Sequence, residues 1–492
     1  MRLITLTLLS FLCSASIYSQ YATPGTGVHW TLDSLVLYSG GAVLGAGQSF
    51  TLTQSLEVAA GDSLFILSNS DLAIASEVQV TISGFIETGS DLGPIIHSVD
   101  DENPYQGFRI EEGATAIFVN TDFPDGGGFK LISGEVFFSN CSISNQANIS
   151  TSSAAIECFT GSPSISNCTI TFNDGAAISS PANISCWPQI AGNFIFGNNT
   201  LNSNRPQINL GPSGEGNTIL IQFNTVSGND FLNQVGGIAV ANLVGGISNV
   251  LIQGNSIDGN RYGIAILGNG ITAEISDNII VNNTTQGDPD LGGSGINLNG
   301  NNSSSAIVSN NTISQNLWGI TVQGTFLVDM GNLDFAANSP GNNSFSVNGN
   351  GGQIYALYNN SPNPISAVNN CWITGQESTE AQIEDVIFHD TDDSSLGLVN
   401  YATEICGSVG LEEDFFSQFK VFPNPVNDML RWENPTAVKL DAIRIYSLLG
   451  NLVRIHTNLS PQGIDLSYLN EGLYMIELQA VSGVYRTTLI KD

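Results

Sequence analysis

The sequence predicts an all-β chain, a right-handed parallel β-helix followed by a small C-terminal β-sandwich, and three observations predict it. The first is an internal echo. Residues 252–270, "IQGNSIDGNRYGIAILGNG", return without a gap at 308–324, "VSNNTISQNLWGITVQG", so that Ile252 answers to Val308, Asn255 to Asn311, Ile257 to Ile313, Asn260 to Asn316 and Tyr262 to Trp318. The second is a recurring anchor, an Asn or Cys two residues before a large apolar side chain, at Cys141, Cys168, Asn193, Asn224, Asn255, Asn278, Asn311, Asn343 and Cys371, at intervals of 23 to 33 residues. The third is a change of composition near residue 419, after which short alternating strands replace the Gly- and Asn-punctuated units.

Each unit carries two or three strands of three to five residues, too short to make a sheet alone. Such units bury an apolar face only by stacking on their neighbours. Stacked in parallel at roughly 4.8 Å per coil, they place the isoleucines in columns inside a tube. Gly and Asn turn the corners because both accept left-handed backbone angles, and stacked Asn amides can hydrogen bond along a ladder. Right-handed winding follows from the preference of parallel crossovers.

The elements then read in order. Leu3–Ile17, an apolar run after Arg2 that ends in "SASIYSQ", is too short to span a bilayer and reads as a cleaved signal peptide over residues 1–19. Cys13 follows Leu12, where a lipoprotein site needs a small residue, so no lipid anchor is expected. The β-helix is assigned to 20–406, with a capping coil after Ala367 whose amphipathic segment covers the last rung. An acidic connector occupies 407–418 and the sandwich 419–492, with turns at Pro423 to Pro425, Gly450, Gly472 and Gly483.

At residues 30–406 the sequence resembles the parallel β-helix repeat superfamily, the pectate-lyase-like fold, which spans lyases, hydrolases, epimerases, adhesins and proteins of unknown role. The C-terminal segment resembles the type A sorting domain of the bacterial type IX secretion system. The matching residues are Phe422, Pro423, Asn424 and Pro425, then Ile445, Tyr446 and Gly450, then Ile464, Asp465 and Leu466, then Leu469, Gly472, Tyr474 and Ile476, and finally Ile490 and Lys491. Leu448 and Leu449 depart from the polar residues common in such domains. That resemblance implies a Gram-negative bacterium of the Bacteroidetes type, the type IX machinery as a partner, and export across the outer membrane. It further implies removal of the domain and a mature protein that is secreted or held at the cell surface.

Charge limits the functions available. The chain has 12 Lys and Arg against 44 Asp and Glu, a net charge of -32. Between 21 and 410 only Arg109, Lys130, Arg205 and Arg261 are basic. Nucleic acid, which is held by Lys and Arg on phosphates, is therefore not expected as a partner. The six cysteines after Cys13 are too sparse for a disulfide framework. Cys141 with Cys168 and Cys158 with Cys186 lie about one coil apart, which permits bonding without requiring it.

No catalytic constellation assembles in the sequence. Polygalacturonase-like chemistry needs paired aspartates, a His-Gly and an Arg-x-Lys, and only Asn120-Thr121-Asp122 is present. A lyase needs a base and cations on the uronate, for which Arg205 and Arg261 are the candidates. Ca²⁺ is the candidate cofactor, with oxygen ligands at Asp288 and Asp290 in the insertion "NTTQGDPDLGGS" or at Asp390, Asp392 and Asp393 in "HDTDDSS"; neither has EF-hand spacing. Tyr262 and Trp318, two coils apart, are candidate platforms for sugar rings, with loop packing as the simpler role. The sequence thus favours an exported, monomeric, non-catalytic protein that contacts polysaccharide or another surface, or serves as a spacer. The alternative is a calcium-assisted polysaccharide lyase or other glycan-active enzyme.

Overall fold

The computed structural model describes residues 20–402, apart from 68, 90–92, 149–152, 333–338 and 374–377, and residues 420–491, apart from 434–439, 448–451, 457–458, 460–462, 471 and 481–482. Residues 20–402 wind into a right-handed parallel β-helix with three sheets. Sheet 1 runs from Gln20–Ala22 to Ile387–Phe388, sheet 2 from His29–Thr31 to Val399–Asn400, and sheet 3 from Val43–Ala46 to Ser344–Ser346. One coil shows the path: Ile238–Asn242 lies in sheet 1, Ser248–Gln253 in sheet 2 and Ser256–Asp258 in sheet 3, and Ile264–Gly268 returns to sheet 1. Ile264 pairs in parallel with Ile238 below it and Ile296 above it.

Period-two alternation sends every second strand residue inward. The inner column of sheet 3 is Ile143, Ile170, Ile195, Val226, Ile257, Ile280, Ile313 and Phe345, all buried. Five phenylalanines, Phe108, Phe118, Phe123, Phe129 and Phe138, fill one wider segment with stacked and edge-to-face contacts. This continuous core holds the short strands, because each strand alone has too little apolar surface to stay ordered.

The corner between sheets 2 and 3 is made by the anchors. Asn255 Oδ1 accepts from the backbone N–H and the Nδ2 of Asn224, at 2.9 and 3.0 Å. Asn255 Nδ2 donates to Asn278 Oδ1 and to the Ile221 carbonyl, both at 2.9 Å. The same pattern runs through Asn193, Asn224, Asn255, Asn278, Asn311 and Asn343. Its last rung corrects the sequence reading: Asn343 donates to Asn370 Oδ1, whereas Cys371 bridges Ser344 and so lies one place past the ladder. The spacing to a large apolar residue misled there, since Ile373 follows Cys371 by two in a coil that no longer continues sheet 3.

Each ladder residue follows a left-handed one. Asn140, Asn167, Gly192, Phe223, Gly254, Asp277, Asn310, Asn342 and Asn369 all have φ between +53° and +68°. A second ladder lies five residues further on, through Gln146, Asn173, Asn198, Asn260, Asn283, Asn316 and Asn348. In the one coil where Asn229 should continue it, Gln207 bridges Asn198 to Asn260 instead, at 3.1 and 2.9 Å.

Both ends are covered. At the first coils the helix Leu32–Tyr38, capped by Thr31, buries Leu32 and Leu35. Asp62 gathers the loop before it, accepting from the N–H groups of Gly25, Gly27 and Val28 and from Trp30 Nε1. At the last coil the short helix Glu380–Glu384 buries Ile383. Cys141, Cys158, Cys168 and Cys186 are free and buried, and Cys371 is disulfide-bonded.

Residues 420–491 form antiparallel sheets. Lys420–Phe422, Met429–Glu433 and Ile464–Asp465 make one, and Leu452–His456, Leu440–Ser447, Gly472–Ala480 and Gly483–Lys491 the other. Val426, Leu430 and Ile464 share one core with Ile443, Ile445, Ile476, Leu478 and Leu489.

Candidate functional site

Sheet 1 turns its alternate residues outward in a straight row: Asn209, Ala239, Ala265, Asn297, Thr321, Tyr358 and Phe388. The row changes character along the axis. Ala239, Ala265 and Thr321 make a floor of small side chains, each no more than 5% exposed. Beyond Thr321 the floor becomes rings. Tyr358 stacks on Phe388, with centroids 4.7 Å apart and planes inclined by 11°. Trp318 meets Tyr355 at 4.7 Å and Tyr358 at 5.0 Å. All four are half-buried and stand on neighbouring coils.

The ring cluster is fixed from one side by the insertion after Asn283. Trp318 Nε1 donates to the Pro289 carbonyl at 3.0 Å. Pro289 is flanked by Asp288 and Asp290, and Asp288 Oδ1 accepts from the Asp290 N–H, a local turn. Burial, Tyr355 and the Asp393 charge together push the Tyr358 phenol up.

Arg261 ties this insertion to the loop before the strand Ile208–Leu210. Its guanidinium donates to the Leu291 carbonyl and to Asn204 Oδ1. Arg205, the next residue, is exposed, and among the described residues its guanidinium makes no hydrogen bond or ion pair. The structure therefore brings Arg205, Arg261 and the Asp288–Asp290 turn to one edge of sheet 1. Arg261, however, engages a main-chain oxygen and an amide rather than a carboxylate.

Tyr262 stands two rungs from Trp318, as the repeat predicts, with Ser294 between them. Its ring lies against Gly236, where an added Cβ would meet it at 2.2 Å. Burial raises its phenol to about 12, against the opposing effect of Arg261. Tyr262 thus packs within the loops, while Trp318 joins the outward cluster.

Two of the "HDTDDSS" aspartates, Asp392 and Asp393, are engaged locally, and Asp390 is half-buried beside His389 in the chain. Asp392 Oδ2 accepts from the His389 N–H at 3.0 Å, and Asp393 Oδ1 from the N–H and Oγ of Ser395. Among the described residues no group of three or more His, Cys, Asp or Glu side chains is arranged to hold a metal ion.

One polar constellation was not read from the sequence. His389, 1% exposed, accepts the Val399 N–H at Nδ1 at 3.0 Å, which leaves the proton on Nε2 facing Glu384 at 3.2 Å. Glu384 also accepts from Thr391 Oγ1 at 2.7 Å and from the Tyr401 hydroxyl. Burial raises the Glu384 carboxyl, but these donors outweigh it and hold it below the usual range. With both ring nitrogens occupied, His389 serves the terminal cap. No signal in the sequence joins residues 384, 389, 399 and 401.

In the C-terminal domain Phe422, Pro423, Asn424 and Pro425 are exposed at the end of the first strand, and Asp465 and Gly472 are exposed too. Asp465 caps its turn by accepting the Ser467 N–H at 2.9 Å, Tyr474 donates to the Asn470 carbonyl, and Lys491 is buried. Gly450 lies outside the described residues.

Residues 420–492 match the secretion system C-terminal sorting domain, which marks proteins exported by the type IX system to the extracellular space or the cell surface. Residues 252–375, the coils that carry the echo and Trp318, match a family of unknown function, DUF1565. No curated protein matches the chain. Among solved structures, a double mutant of the periplasmic alginate epimerase AlgG is similar at 12% identity, covering 76% of this chain and 84% of that one, with a TM-score of 0.44. Another AlgG structure is similar at 13% identity over 76% and 83%, with a TM-score of 0.41. The tailspike gp49 of Acinetobacter baumannii bacteriophage Fri1, a capsular polysaccharide depolymerase, is similar at 9% identity over 96% and 78%, with a TM-score of 0.22.

Proposed function

We propose that this exported chain is a non-catalytic glycan-contact protein whose binding face is the outward ring cluster of sheet 1. One observation carries the reading. Trp318, Tyr355, Tyr358 and Phe388 present half-buried rings on the solvent side of a sheet whose coils are locked by two amide ladders. Rings on the solvent side lose apolar hydration only when something covers them, and rigid mounting lowers the entropy cost of that covering. The flat C–H face of a sugar ring is such a cover, and its hydroxyls find acceptors in Asp288, Asp290 and Asp393 around the cluster. A lyase reading has less support, since Arg261 already donates to Leu291 and Asn204 and leaves Arg205 as the one unengaged cation of its two candidates.

The test is a glycan array probed with the full chain and with Trp318→Ala. Retention of at least one glycan, weakened in the variant and with no product formed, supports the reading. A silent array, or release of unsaturated or reducing ends by the wild-type chain, overturns it.

A further inference from the structure

The charges around the ring cluster say which kind of glycan it takes. Between residues 21 and 410 the chain has four basic side chains, and three are engaged within the fold. Arg109 pairs with Glu111, Lys130 lies 4.6 Å over the Phe159 ring, and Arg261 donates to Leu291 and Asn204. Arg205 alone is exposed without a side-chain partner among the described residues, and it sits on the loop that Arg261 clasps.

The charges next to the rings are acidic. Asp288 and Asp290 flank the carbonyl that holds the Trp318 indole, and Asp393 follows Phe388 by five residues. A polyuronate brings one carboxylate per sugar and would lay several beside these aspartates. Each close like-charge pair costs on the order of 1 kcal/mol even in water. The wider field of a strongly acidic rod opposes the approach over a Debye length of about 8 Å. A neutral sugar meets neither penalty, and it offers hydroxyl protons that aspartates accept.

We propose that the ring cluster binds an uncharged polysaccharide and excludes polyuronates. This rests on the glycan-contact reading and adds the charge class of the ligand. The experiment is titration calorimetry of the full chain with neutral oligosaccharides (cello-, xylo-, manno- and chito-series) and with oligogalacturonate and oligoalginate. Each is run at low and high ionic strength, with calcium and with a chelator. Binding of a neutral series with little salt dependence, and none of either uronate, is expected. Trp318→Ala and Tyr358→Ala should each weaken it about three- to tenfold, the scale of one aromatic contact. Circular dichroism checks that both variants stay folded. Uronate binding equal to or tighter than neutral binding in any arm, calcium included, overturns this inference and leaves the glycan-contact reading standing. Binding of no glycan overturns both.

Discussion

Replacing Asn255 by alanine should be among the most damaging single changes in the β-helix, and the structure sets its size. The Asn255 amide makes five hydrogen bonds: its oxygen accepts the Asn224 N–H and Nδ2, and its nitrogen donates to Ile221, Gln253 and Asn278. Some partners survive the loss. Asn224 Nδ2 still reaches the Ile190 carbonyl, and Asn278 Oδ1 still accepts the Asn255 N–H. The Asn224 N–H does not, and it faces a corner with no water access, whereas the Ile221 carbonyl keeps its place in the strand ladder opposite Ile252. At about 1–3 kcal/mol for the orphaned buried donor and about 1 kcal/mol net for the other lost bonds, the loss comes to about 2–4 kcal/mol. Hydrogen exchange reads it directly: the Asn224 amide should exchange about 30- to 1000-fold faster, at ~1.4 kcal/mol per decade. Asn255→Asp keeps the acceptor but turns a second oxygen toward Asn278 Oδ1 and the Ile221 carbonyl. Its folded-state pKa is therefore raised, so its stability deficit should be smallest below about pH 4 and grow as pH rises. An alanine variant within about 1 kcal/mol of wild type by urea unfolding, with unchanged exchange at Asn224, would refute the ladder as a structural device.

Other outcomes follow from the same geometry. The Asp62 carboxylate is raised by burial but lowered more by its N–H and indole donors, so its folded pKa is depressed. Its stabilisation is present above about pH 4 and lost as pH falls toward the folded value; Asp62→Asn should cost about 2–3 kcal/mol at neutral pH and flatten that acid limb in urea titrations. Val347 holds φ +45° at an exposed turn where equivalent coils carry Asn282 and Gly259. Val347→Asn should therefore raise stability by about 1 kcal/mol, seen as a higher unfolding midpoint. Gly236→Ala should drive the Tyr262 ring off its seat and lower its phenol pKa from about 12 toward the ordinary value near 10, followed by ultraviolet titration. Deleting residues 420–492 should leave the chain inside the cell envelope, checked by fractionation and immunoblot.

The sequence revealed what repeats and hid what does not. Asn255 and Asn311 are legible because each coil must place an amide at the same corner, so physics imposes a period that the eye can find. The echo also placed Tyr262 and Trp318 on one edge, two rungs apart, as the register has it. Tyr355, Tyr358 and Phe388 escaped because an insertion and the terminal cap separate them from the repeat, and ring contacts depend on register rather than on spacing. The same holds for Gln207. It repairs the second ladder across 53 residues to Asn260, reaching a place that its own coil's pattern does not mark. Val399 and Tyr401 reach His389 and Glu384 only because the cap folds back over the last rung.

This division between inside and outside bears on how such a chain can carry a function. The ladders and the isoleucine columns fix each coil to the next through backbone groups and inward side chains, and neither uses the outward positions of sheet 1. Outward residues are therefore set by what covers them rather than by the stack: Ala265 and Thr321 are small and covered, while Tyr358 further along the same row is half-buried. Insertions between sheets 3 and 1 are equally free, provided the ladder residue before them keeps its place, as Asn283 does before the loop that holds Trp318. A binding face built this way inherits its rigidity from a core that it does not disturb. Changes at Trp318 or Tyr358 should then alter affinity while leaving the ladder's exchange protection untouched, whereas changes at Asn283 or Asn316 should lower both together.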